Sequence, residues 1–157
     1  MEVFRDQRDM KNQRLQTLRS HPSVRFPDEY EYSRSSVAAA VDALVDPIIS
    51  AIPEDRYVRG RTQLVKGYAD DMLKVLANVR AGMSASGRCA IVVGNSSHGH
   101  QPSHFVVASD LIVARLAELS GWSVDQIRVA RRPTRRADSE GWLRESVVML
   151  KCDDPQG

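Results

Sequence analysis

A chain of 157 residues, 42% hydrophobic and 27% charged, suits one small globular domain around one core and leaves little room for two. Its net charge of +2 excludes bulk electrostatics as a nucleic-acid signal, so any basic surface must be a local patch. Cys89 and Cys152 stand far apart and outside any CxxC spacing, which argues against a disulfide framework or a zinc site and fits a reducing, cytoplasmic setting.

The first residues, Met-Glu-Val-Phe-Arg-Asp-Gln-Arg, are charged where an export signal needs an apolar stretch. No apolar run approaches the roughly 20 residues of a membrane span, so the expectation is a soluble, unexported chain. Across residues 2–19, Arg5, Arg8, Lys11 and Arg14 recur every three residues beside Phe4, Leu15 and Leu18, predicting a helix with a basic face and a poor core face. Two prolines and a cluster of aromatics make 20–32 an extended, ordered loop. Ser35 or Ser36 then caps a helix from Val37 to Ile49, which Pro47 should kink or divide and Pro53 should end.

A longer helix is expected from about Thr62 to Arg80. Val65, Tyr68, Met72, Leu76 and Val79 form its apolar stripe, with Lys66, Asp70, Asp71 and Lys74 lying mostly off that line. Gly82 and Gly87 bracket a turn. Cys89 to Val93 is short, continuously apolar and rich in β-branched residues, the pattern of a central parallel strand buried on both faces. Ser109 or Asp110 caps a helix through Leu119 that stops at Gly121, and Ile127–Arg131 and Ser146–Leu150 read as two closing strands. Helix, strand, helix, strand, strand is the order of the second half of an open α/β sheet, with the final pair antiparallel.

Ligands of open α/β sheets bind beyond the carboxyl ends of the strands, where small residues let backbone and ligand approach. Gly94, Asn95, Ser96 and Ser97 hold that place, although the same residues also make a simple tight turn. Arg131, Arg132, Arg135 and Arg136 form the densest basic cluster, suited either to phosphate contact or to a solvated loop. His98, His100 and His104 lack a nearby Cys or carboxylate before Asp110, so loop polarity accounts for them better than a metal. Arg144 and Glu145 most simply pair with neighbours to register the last strand, and Trp122 and Trp142 read as packing anchors rather than base-stacking platforms.

Taken together, Tyr68-Ala-Asp-Asp-Met-Leu-Lys-Val-Leu76, Ile91-Val-Val-Gly-Asn-Ser96, the Gly121-Trp122 turn, Val129-Ala-Arg-Arg132 and Leu143-Arg-Glu-Ser-Val-Val-Met-Leu150 resemble the C-terminal half of the amino-methylating DNA methyltransferases. Phe4-Arg-Asp-Gln-Arg8 and Arg19-Ser-His-Pro22 are similar to the segment just after the catalytic strand in some members. Members of that family transfer a methyl group from S-adenosylmethionine to the N4 amine of cytosine or the N6 amine of adenine. The resemblance implies one partial domain over 1–157 with a Rossmann-like methyltransferase sheet. In it, 1–60 supplies the basic helix, Pro-rich loop and first helix, and 61–157 the helix-strand-helix-strand-strand unit.

It also implies that Gly94, Asn95 and Ser96 edge the cofactor and base pocket, while Arg131 to Arg136 and the basic N-terminal helix touch DNA phosphates. Two family features are missing from these 157 residues. No glycines form a GxG, and none of the seven prolines adjoins another, where the family has a glycine-rich cofactor loop and a Pro-Pro-aromatic tetrapeptide. The expectation is therefore a half-site that starts just downstream of the tetrapeptide. It would self-associate or join a complementary methyltransferase subunit, with DNA as substrate and neither membrane nor metal as partner. The competing expectation is a non-catalytic remnant or subunit that binds a partner chain or DNA, and a third is a fragment acting on RNA or a small molecule.

Overall fold

In the computed structural model the described residues are 7–20, 26–98, 105–132 and 143–152. They form α1 (Gln7–Arg14), a short 3-10 turn (Glu31–Arg34), α2 (Ala38–Ser50), α3 (Val58–Ala81), β1 (Arg88–Gly94), β2 (Ser96–His98), β3 (Phe105–Val107), α4 (Ser109–Leu119), β4 (Ser123–Arg131) and β5 (Glu145–Lys151). The architecture is mixed α/β.

The main sheet has the order β1-β5-β4, and both pairings are antiparallel. β1 and β4 therefore run in the same direction, joined through α4, with β5 inserted between them. The expected antiparallel final pair is present, and both closing strands are longer than their apolar runs. The central parallel strand is not. β1 pairs only with β5 among the described residues and lies at the sheet edge, and its burial alternates strictly, with Val92 68% exposed. A continuous apolar run fits either a strand covered on both faces or an edge strand with one bare apolar face, and the helices decide between them.

Those helices cover one face. Cys89, Ile91 and Val93 of β1 line up with Leu150, Val148 and Ser146 of β5 and with Val124, Ile127 and Val129 of β4. Apart from Val129 and Ser146, these residues join the core with Val113, Leu116 and Ala117 of α4. α4 packs on all three strands and against α3, which packs in turn on α2. Trp122 is 3% exposed and donates from its indole nitrogen to the Leu76 carbonyl at 3.0 Å, so it is the expected packing anchor. Gly121 ends α4 with a φ of 81°, a conformation that favours glycine.

Several local expectations need correction. α2 runs through Pro47 to Ser50 without dividing, because the proline falls in the last turn, where little helix remains to disrupt. Neither Ser35 nor Ser36 occupies its N-cap, although the Ser35 hydroxyl accepts the Val37 N–H just outside the helix. α3 starts at Val58, earlier than the apolar stripe alone signals. Val79 at the end of that stripe is 39% exposed, while Asp70, off the stripe, is 2% exposed. The N-terminal basic helix is described only from Gln7 to Arg14, and Arg5 lies outside the described residues. No helix among the described residues is long and apolar enough to cross a membrane.

Candidate functional site

The carboxyl ends of β1 and β4 fall at the same end of the sheet, and the amino end of β5 lies between them. Register puts Gly94, Glu145 and Arg131 in one row across the three strands, on the face without helices. The two groups singled out from sequence, the Gly94-Asn95-Ser96 turn and the start of the arginine cluster, are thereby brought together. Glu145 leans over Gly94, whose missing side chain leaves room: a Cβ built there would lie 3.7 Å from the Glu145 Cγ. Arg131 grips Glu145 in a fork, Nε to Oε2 at 2.8 Å and Nη2 to Oε1 at 2.7 Å. This is the strand-registering role expected for Glu145, and it takes two of the Arg131 donors.

Behind that row stands a buried polar knot. Asp110, in the first turn of α4, is fully buried. Its Oδ2 accepts from the Ser146 hydroxyl and the Arg144 Nε, each at 2.8 Å. Its own backbone N–H donates to the Asn95 Oδ1 at 3.1 Å. Ala108 is the N-cap of α4 and makes no side-chain cap bond, so neither Ser109 nor Asp110 caps the helix as expected. Asn95 provides the cap from across the crevice, satisfying one of the orphan N–H groups of the first turn. The Asn95 N–H also donates to the Arg144 carbonyl at 2.9 Å. Burial alone would raise the Asp110 pKa, yet the bonds from Ser146, Arg144 and Asn95 hold it below the ordinary carboxylate value. Asp110 thus ties α4, β5 and the end of β1 together as an anion, and its lowered pKa makes it a poorer proton acceptor than an ordinary carboxylate. Nearby on the covered face, burial pushes the Cys89 thiol up, which weakens it as a nucleophile.

No protein-family model, curated protein or solved structure matches this chain significantly. The site therefore stands on its own geometry.

Ser96 begins β2, whose pairing with β3 forms a small second ladder after the turn, an element that the polar sequence of 95–104 conceals. The Ser96 Oγ and the His98 Nε2 are 2.8 Å apart, and the His98 ring lies against Phe105 with centroids 5.7 Å apart. His100 and His104 lie outside the described residues, among which no cluster of potential metal ligands occurs. Arg132 is exposed just beyond β4, while Arg135, Arg136 and Trp142 lie outside the described residues.

A second polar centre escaped sequence reasoning. Arg19, 9% exposed, donates to Asp70 (2.6 Å), to both oxygens of Asp71 (2.7 and 3.0 Å) and to the Glu29 carbonyl (3.0 Å). Lys74 joins Asp70 at 3.3 Å and Glu31 at 2.8 Å, and the Tyr32 N–H donates to Asp70 at 2.9 Å. Burial would raise the Asp70 pKa, but the Tyr32 N–H, Arg19 and Lys74 lower it below the ordinary value. This centre borders a groove of about 770 Å³ whose walls include Phe26, Tyr30, Arg34 and Val75. The available signal was Gly67, one helical turn before Asp70 and Asp71: it lies against the Arg19 side chain, where a Cβ would fall 2.7 Å from Cδ.

Proposed function

We propose that this chain is the substrate-reading half of an S-adenosylmethionine-dependent methyltransferase acting on an exocyclic amine of DNA, completed by a segment or chain that carries the glycine-rich cofactor loop and the Pro-Pro-aromatic motif. The observation that carries the reading is the shared sheet end. The Gly94-Asn95-Ser96 turn and Arg131 meet at the carboxyl ends of β1 and β4, which run the same way on either side of the antiparallel β5, and open α/β sheets hold their ligands at the carboxyl ends of their strands.

In this reading the residues position rather than react. Gly94 keeps the end of β1 free of a side chain beneath Glu145, and Asn95 is locked by the Asp110 N–H so that the turn keeps its shape as a base arrives. Arg131, steadied by Glu145, and Arg132 lie where a phosphate backbone would pass. The cofactor supplies an electrophilic methyl group. Asp110, ionised and saturated with hydrogen bonds, braces the wall without entering the chemistry.

The test is reconstitution. The purified chain is mixed with an N-terminal half of an amino-methyltransferase, and transfer of tritiated methyl from S-adenosylmethionine to duplex DNA is counted. Transfer by the mixture and none by either half alone is the expected result, and Asn95→Ala should reduce it. If calorimetry finds micromolar cofactor binding to this chain alone, or the mixture neither binds DNA nor transfers methyl, the proposal fails.

A further inference from the structure

The two edges of the main sheet are built differently. β4 is guarded: Asp125, Gln126, Arg128 and Arg131 are exposed along it, and its ladder is irregular at Val124/Gln126 and again at Val129/Arg131. Charges and bulges of this kind stop a further strand from adding. β1 has neither a register shift nor, between Cys89 and Gly94, a single charge.

The direction of the β1 backbone groups is set by its ladder. The Asn95 N–H donates to the Arg144 carbonyl and the Cys152 N–H to the Gly87 carbonyl, so the odd-numbered positions form the hydrogen-bonded pairs with β5. The N–H and C=O groups of Arg88, Ala90, Val92 and Gly94 consequently point away from β5. The side chains of the same residues lie on the face without helices, where Val92 is the most exposed large hydrophobic residue among the described residues.

We propose that this edge is self-complementary and pairs with β1 of a second copy, antiparallel about a two-fold axis at Ile91. The inference is independent of the methyl-transfer reading. Antiparallel pairing centred on Ile91 sets Ala90 opposite Val92 and Arg88 opposite Gly94 of the second copy. These are the residues whose backbone groups face outward, so every new bond finds its partner, a match that a centre between two residues would lose. Small Ala90 meets large Val92 on the bare face, which fills the pair without crowding.

Charge completes the fit. Within one chain Gly94 stands opposite Glu145, so pairing Arg88 with the second copy's Gly94 puts Arg88 in the same row as that copy's Glu145, two strands away. Arg88 already spans two strands in the other direction, reaching Asp125 of β4 at 3.5 Å. Gly94 leaves no side chain in the path. Each copy thus sets one cation in line with one anion of the other, Arg88 leaving its 3.5 Å contact with Asp125 and Glu145 sharing its oxygens with Arg131, and the interface closes at two chains.

Hydrogen exchange on the intact chain at rising concentration reads the proposal residue by residue. The amides of Ala90, Val92 and Gly94 should exchange freely at about 1 µM and become protected at about 200 µM, the range suited to a small interface. Ile91 and Val93 should be protected at both. Light scattering should then report twice the 17.5 kDa chain mass and no larger species. Ala90→Pro removes one outward N–H and Val92→Lys places a charge on an exposed position. Both should return the protein to monomer, with the far-ultraviolet spectrum of the parent verifying the fold.

Reversing Arg88→Glu should weaken pairing, and adding Glu145→Arg should recover part of it. A monomer at every concentration overturns the proposal. So does a dimer without protection at these amides, an open-ended series of oligomers, or protection that arises only when a different chain is added.

Discussion

Gly67→Ala and Gly60→Ala are the same substitution on the same helix, and the structure predicts opposite signs for them. Both gain helix propensity, about 0.5–1 kcal/mol. At Gly60 nothing lies within 4 Å of the added methyl, so that gain stands alone. At Gly67 the methyl would sit 2.7 Å from the Arg19 Cδ, 2.9 Å from its Nε and 3.2 Å from its Cβ. Carbon atoms in ordinary contact are ~3.5–4 Å apart, so Arg19 must withdraw by about 1 Å. It has little freedom to do so, because its donors are held at 2.6–3.0 Å by Asp70, Asp71 and the Glu29 carbonyl. Removing one partner of a buried ion pair outright costs about 3–5 kcal/mol; a displaced partner forfeits about half, and after the propensity gain the net destabilisation is about 0.5–2 kcal/mol.

Urea unfolding followed by tryptophan fluorescence measures both variants. Gly60→Ala should unfold at higher urea than the parent and Gly67→Ala at lower. In an Arg19→Ala background only the 3.2 Å approach to Cβ remains, so most of the penalty at Gly67 should disappear, and in an Arg19→Gly background all of it should. Should Gly67→Ala prove as stabilising as Gly60→Ala, the reasoning from close approach is refuted.

The buried carboxylates and the crevice give two further expected outcomes. Asp70 and Asp110 both have pKa values lowered in the folded state, so the unfolded chain takes up protons first on acidification. Their contribution is complete above the ordinary carboxylate value and is lost as pH falls through the lowered folded values. Urea midpoints should be level from pH 7 to about 5 and fall below about 4, and Asp110→Asn should lower the midpoint at neutral pH while flattening the acid limb; an unaltered limb would mean that Asp110 does not anchor the knot. Asn95→Ala removes the side-chain cap of α4 and should cost about 1 kcal/mol, seen as faster hydrogen exchange at the Asp110 amide, whereas unchanged exchange there would show the cap to be idle.

The sequence alone determined the order of α3, β1, α4, β4 and β5, because periodicity, the glycine stops and β-branched runs are local signals and local geometry answers them, but it missed the short β2-β3 ladder between β1 and α4. It also marked Trp122 as an anchor and Glu145 as a registering residue, since each stands beside its own turn or strand. What it left open depended on contacts between residues far apart in the chain. Whether Cys89 to Val93 is central or at an edge is decided by β5, which arrives more than fifty residues later and inserts between β1 and β4. That Asn95 caps a helix beginning at Ser109, and that Asp70 is buried because Arg19 reaches it across fifty-one positions, cannot be read from spacing. A carboxylate on a helix looks the same in sequence whether it faces water or a buried guanidinium, because the compensating charge comes from another segment and only folding supplies it.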